Sequence, residues 1–123
     1  MSNPVTHWQI LTKQPKELEK FYSTLFGWKI SGDNPLGYKV VDTASGEGIG
    51  GGLWPIGPNE GQSMVQLFVR VSDVPEYLRK AEGLGAKVVI PHQVLPGGDE
   101  MAVAVDPDGI PFGLFKSGNS VPM

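Results

Sequence analysis

The apolar positions of this chain change period twice, in the same way each time. Within Glu17 to Phe26, Leu18, Phe21, Tyr22 and Leu25 recur at steps of three and four, which puts them on one stripe of a helix. Gly27 follows, the residue type that takes the left-handed conformation closing a helix, and Trp28 and Ile30 continue at a period of two, as a strand does. The pattern predicts a helix that feeds a strand directly and lays two aromatics and two leucines on a sheet. The second instance has Val74, Tyr77, Leu78, Ala81 and Leu84 as its stripe, Gly85 as its end, and an extended run from Ala86 to Ile90. The two closing glycines lie 58 positions apart in a chain of 123, and a strand-like run precedes each helix, Thr6 to Thr12 and Met64 to Val71. Self-similarity at this period predicts a tandem, pseudo-twofold architecture.

Alternation supplies the remaining elements. Val5 to Thr12 reads as a strand with His7, Gln9 and Leu11 on one face and Trp8, Ile10 and Thr12 on the other, the second face suiting the helix. Trp28 to Ser31, Gly37 to Asp42 and Gly48 to Trp54 follow as strands, with turns at Gly32 to Pro35 and Thr43 to Gly46. After a connection over about 56–62 come strands Met64 to Val71, Ala86 to Ile90, Glu100 to Val105 and Ile110 to Lys116, then a polar tail over 117–123. Ser72 or Asp73 caps the second helix. Each half is therefore strand, helix, strand, strand, strand. The expected fold is α+β, one domain over 1–123 made of two tandem βαβββ modules, about 4–55 and 63–116. Their strands are expected to form an eight-stranded mixed, cup-like sheet with the helices outside.

Composition narrows the function classes. The 17 glycines and 11 prolines punctuate short segments, as a many-stranded protein requires. The length suffices for a core without staples, and the absence of cysteine excludes a disulfide framework, a thiol nucleophile and a thiolate metal site. A formal charge of −3 with scattered lysines excludes a basic patch, so no nucleic acid is expected as partner. No apolar run approaches membrane-spanning length and the N-terminus lacks a signal pattern, so a cytoplasmic protein without membrane contact is expected.

Most candidate chemistry has an ordinary structural reading. Asp106-Pro107-Asp108-Gly109 places two carboxylates together, but this is common turn chemistry. Gly50, Gly51 and Gly52 are not followed by the Gly-Lys-Ser/Thr of a phosphate loop. Glu47, Glu60, Asp99 and Glu100 sit beside turns as surface charge, and His92, after Pro91 in a loop or at a strand edge, is expected to be solvated. His7 is read either as a polar contact lining a cavity or as a hydrogen-bonded residue near a strand end.

Phe21-Tyr22-Ser23-Thr24-Leu25-Phe26-Gly27-Trp28, the βαβββ repeat, and Asp106-Pro107-Asp108-Gly109 with Phe112-Gly113-Leu114-Phe115 resemble the vicinal oxygen chelate superfamily, over about Pro4 to Lys116. That superfamily includes glyoxalases, extradiol dioxygenases, and fosfomycin and bleomycin resistance proteins. The resemblance implies modules paired within a chain or across a dimer. In metal-dependent members it also implies ligands at the start of each module's first strand and inside its last strand. Here the former fall on His7 and Gln66, and the latter on Gly52, to within one residue, and on Gly113. A catalytic zinc or iron site takes about three protein ligands, and one imidazole with one amide falls short.

The favoured expectation is thus a metal-independent glyoxalase-like or bleomycin-resistance-like binding module with no cofactor. Its small, partly apolar ligand would meet His7, Gln9, Tyr38, Trp54, Gln66, Phe68 and Met101, with Gly52 and Gly113 leaving room where a metal would sit. A homodimer is implied by the resemblance. The alternative is a metal-dependent lyase, isomerase or dioxygenase with a divalent metal on His7 and Gln66; a third reading fills the pocket with the protein's own side chains. No catalytic residue is assigned.

Overall fold

A computed structural model describes residues 2–32, 38–43 and 46–118. The elements run β1 (Val5–Thr12), α1 (Pro15–Phe26), β2 (Lys29–Ser31), β3 (Lys39–Asp42), β4 (Gly51–Pro55), β5 (Met64–Arg70), α2 (Val74–Gly83), β6 (Lys87–Val94), β7 (Glu100–Val105) and β8 (Pro111–Lys116). The βαβββ order therefore occurs twice. With β1/β4 and β5/β8 parallel and β2/β3, β3/β4, β6/β7 and β7/β8 antiparallel, the eight strands make mixed sheet and the class is α+β, as expected. The chain divides into two compact units, one from Thr6 to Gln66 and one comprising the N-terminal residues to Val5 with the chain from Leu67 onward. Gly37, the turn positions 33–35 and 44–45, and the tail from 119 lie outside the described residues. Among those described, no helix is long and apolar enough to cross a membrane.

In the Thr6–Gln66 unit the strands lie in the order β2-β3-β4-β1. Trp8 pairs with Gly51 and Ile10 with Leu53, so these residues share the face that α1 covers. Trp8 lies 5.5 Å from Trp28, which Tyr22 stacks on at 5.1 Å and Phe26 approaches at 5.2 Å. Gly51 permits this, because a methyl group there would overlap the Trp8 indole. Leu53, Val41 and Thr12 are buried. The helix stripe differs from the expected one. Tyr22 and Phe26, four residues apart, meet Trp28, although Phe26 is itself 55% exposed, and Phe21 and Leu25 on the adjacent row are 53% and 57% exposed. A 2.8 Å ion pair between Glu19 and Lys39 ties α1 to β3 on the other flank.

The second unit has the order β5-β8-β7-β6. Val71, Val74, Leu78, Ala102, Ala104 and Leu114 form its core, joined by Val69, Tyr77 and Phe112. Asp73 caps α2 by accepting from the Glu76 amide at 3.0 Å. Gly27 and Gly85 both have positive φ, 73° and 104°, so the repeated helix endings are a backbone requirement. Leu84, expected on the α2 stripe, instead lies past the helix end and is 81% exposed. Strand β6 continues through Pro91 to Val94, four residues beyond the expected Ile90, with register shifts against β7 on either side of Ile90. An edge strand tolerates a proline because its outward amide needs no ladder partner.

Candidate functional site

Strand register builds one face of the Thr6–Gln66 unit opposite α1. Gln9 pairs with Gly52 and Leu11 with Trp54, while Val40 faces Gly52 from β3. By the two-residue period His7, Gln9, Gly52 and Trp54 point the same way. Strand β3 begins at Lys39, so Tyr38 stands just before it and its side chain folds over Gly52. Its hydroxyl occupies the place where a residue-52 side chain would begin. The hydroxyl lies 2.9 Å from His7 Nε2, and the Tyr38 ring centre is 5.6 Å from that of Trp54, tilted by 44°.

Burial sets the charge state of this pair. It lowers the His7 pKa below 6.5 and raises that of the Tyr38 phenol above its ordinary value, because in both cases desolvation disfavours the charged form. At neutral pH the site therefore holds a neutral imidazole against a neutral phenol. The pair is joined either by the phenol O–H donating to Nε2 or by Nε2–H donating to the phenol oxygen. Either way neither group carries a formal charge. Gln66 is buried at 6% exposure, and Gln9 is half-buried.

In the other unit, Phe68 pairs with Gly113, Val103 also pairs with Gly113, and Met101 pairs with Phe115. Phe68 and Met101 therefore share the sheet face opposite α2. Phe68 is 4% exposed, and its ring lies where a methyl at residue 113 would fall. The structure thus groups His7, Tyr38 and Trp54, sets Gln9 beside Gly52, buries Gln66, and places Phe68 and Met101 in the second unit. The two glycines do not leave the expected open floor. Each admits an aromatic of the chain itself, a phenol at Gly52 and a phenyl ring at Gly113.

These positions do not fit a catalytic metal. The last-strand positions have no side-chain donor and are covered, and the His7 Nε2 already meets the phenol. Among the described residues no three or more His, Cys, Asp or Glu side chains gather as a metal would require.

His92 lies on the edge strand, one of the two placements expected for it, but is paired rather than simply solvated. It lies within β6 and meets Glu100 Oε1 at 2.6 Å, with Lys116 Nζ at 3.8 Å from the other carboxylate oxygen. Sequence reasoning missed this cross-strand group because β6 was ended before Pro91. It also missed the His7–Tyr38 bond, for which the one available signal was a glycine on the neighbouring strand. Two surface depressions run along α1, one of about 530 Å³ lined by Lys16, Glu19, Lys20, Ser23 and Lys39, and one of about 560 Å³ lined by Lys20, Phe21, Thr24 and Leu25. Neither is lined by His7, Tyr38 or Trp54.

Comparison with known proteins places this geometry in context. Residues 8–115 match the profile described as glyoxalase-like domain. Two mycobacterial proteins named "Putative glyoxylase CFP32", from Mycobacterium tuberculosis and Mycobacterium bovis, are 26% identical over 117 residues, covering 89% of this chain and 44% of theirs. This chain thus spans less than half the length of those relatives. A hypothetical protein of Bacillus halodurans, BH1468, shares the fold with a TM-score of 0.71 at 15% identity, covering 100% of both chains. A Vibrio splendidus member of the glyoxalase/bleomycin resistance protein/dioxygenase superfamily has a TM-score of 0.65 at 16% identity, covering 94% of this chain and 100% of its own.

Proposed function

The chain belongs to the glyoxalase-like domain family, and from that premise we propose that it binds a small, partly apolar molecule without the help of a metal. The observation carrying this reading is the Tyr38 hydroxyl seated over Gly52 and held 2.9 Å from His7 Nε2. At a position where the superfamily resemblance implies a metal ligand, this chain supplies a glycine and covers it with a phenol. What remains for chemistry is a neutral hydrogen-bonding pair beside an indole, and a few polar groups on an apolar wall are the usual means of orienting a small ligand. Gln9 and Gln66 add amides of the same neutral character. The assembly proposed is a homodimer, working in the cytoplasm with the small molecule as its partner.

The name of the mycobacterial relatives supports an enzymatic alternative, but the side chains at the four implied ligand positions do not supply its metal. Thermal melts against a library of uncharged small molecules, run in EDTA, test the reading. Native-state ligands raise the melting temperature by mass action. Stabilising compounds are expected in EDTA, and their effect should disappear in His7→Ala. Stabilisation that requires an added divalent cation would overturn the proposal.

A further inference from the structure

The outer side of α1, across the sheet from His7 and Tyr38, bears charge and hydrocarbon side by side. Lys16 and Lys20 are both exposed and stand one turn apart, a like-charge spacing that destabilises a helix. Among the described residues neither reaches a carboxylate within ion-pair distance, and Glu19 beside them is held by Lys39 at 2.8 Å. These four residues and Ser23 line the depression of about 530 Å³, so three ammonium groups border it against one carboxylate. Ser23 turns its hydroxyl back to the Lys20 carbonyl at 3.3 Å, which leaves the lysines to set the polar character. Lys20 also borders the depression of about 560 Å³, whose other walls are Phe21, Thr24 and Leu25. Phe21 and Leu25 are both more than half exposed, and Tyr22 braces the Phe21 ring edge-on at 5.0 Å. Glu17, one turn before Phe21, lines neither depression.

We infer that this side of α1 binds a small anion carrying an apolar chain, its phosphate or carboxylate head among Lys16, Lys20 and Lys39 and its chain along Phe21 and Leu25. The head relieves the repulsion between the lysines, and the chain takes two side chains out of water. Lys16 to Leu25 span about 14 Å by helical rise, a strip that suits a chain of medium length. A stable protein interface takes about 800 Å² from each partner, well beyond one such strip. An anionic membrane would be opposed at longer range by the net charge of −3, so the ligand is a dissolved molecule. The site is separate from the one proposed above and stands whether or not the His7 face binds a ligand.

The test is an NMR titration of isotope-labelled protein with octyl phosphate below its micelle concentration. Saturable shifts are expected for the amides from Lys16 to Leu25. Inorganic phosphate and octanol each carry half of the ligand, and octyltrimethylammonium carries the opposite charge; all three should bind about tenfold or more weakly. Lys20→Gln should weaken octyl phosphate about threefold, and Lys20→Arg should restore binding to within about twofold. Phe21→Ser should weaken it about fivefold. Both side chains are exposed, so these variants are expected to fold normally. Inorganic phosphate, octanol or the cation binding as tightly as octyl phosphate would overturn the pairing of charge with apolar surface. Shifts gathered on His7, Gln9 and Trp54 would move the ligand to the sheet face and overturn the site. Binding to phosphatidylglycerol vesicles without binding of octyl phosphate in solution would overturn it in favour of a membrane. The absence of shifts with every probe would overturn it outright.

Discussion

A single hydroxyl decides the character of the first repeat. Tyr38 fits over residue 52 only because that residue is glycine, and its bond to His7 fixes two half-buried aromatics at once. Tyr38→Phe removes the hydroxyl and keeps the ring; the expected cost is about 0.5–1.5 kcal/mol, read as a shift of the denaturant midpoint. Gly52→Ala drives a methyl into the phenol and is expected to cost about 1–3 kcal/mol as overpacking, with the Tyr38 ring displaced in a crystal structure. If Gly52→Ala were neutral, the phenol would not be seated there. His7 makes a separate prediction about pH. Its folded pKa lies below the unfolded value of 6.5, so between the two the unfolded chain binds more protons. The contribution is fully present above about 6.5 and is lost as the pH falls toward the lowered folded value. An NMR titration should therefore find the His7 imidazole titrating below 6.5, and the acid-side loss of stability should shrink in His7→Gln. A value above 6.5 would contradict the buried, neutral imidazole.

At the scale of elements, the two helices are capped differently although they are repeats. Asp73 accepts from the Glu76 amide, and Asp73→Ala is expected to cost about 1 kcal/mol in a chemical melt. Gln14 makes no side-chain cap for α1, so Gln14→Asp should stabilise by about 0.5–1 kcal/mol. No change at either position would mean that the caps do not matter. The sequence shows the existence of both helices because the three-and-four spacing and the closing glycines are local signals. It does not show which row of α1 is covered, since Leu18, Phe21, Tyr22 and Leu25 span two adjacent rows. Trp28 makes that choice by stacking with Tyr22, a contact made after the helix has ended. Strand β6 runs past the expected Ile90 through Pro91, which at an edge costs no ladder bond.

For the molecule as a whole, the repeat of about sixty residues was legible from Gly27 and Gly85, and with it the βαβββ order and the α+β class. The candidate site was legible in part. Alternation put His7 and Gln9 on the face away from Trp8, and the register sets Gln9 opposite Gly52, a pairing the sequence did not indicate. What fills the glycine positions was not legible, because His7 and Tyr38 are 31 residues apart and meet only when three strands are assembled. A missing side chain reads as space in a sequence; in the fold it is room for a neighbour.

Metal dependence is therefore the property on which the account stands. Protein purified without chelator should be assayed for bound metal and melted in zinc, nickel, manganese, iron(II) and EDTA. A metal held by the native state at a hundredfold excess over its dissociation constant would add about 2.7 kcal/mol, a shift easily seen. The account predicts substoichiometric metal and melting temperatures that do not rise with any of the cations or fall in EDTA. Stoichiometric metal with a melt lowered by EDTA would contradict it and would require ligands other than the glycines at 52 and 113.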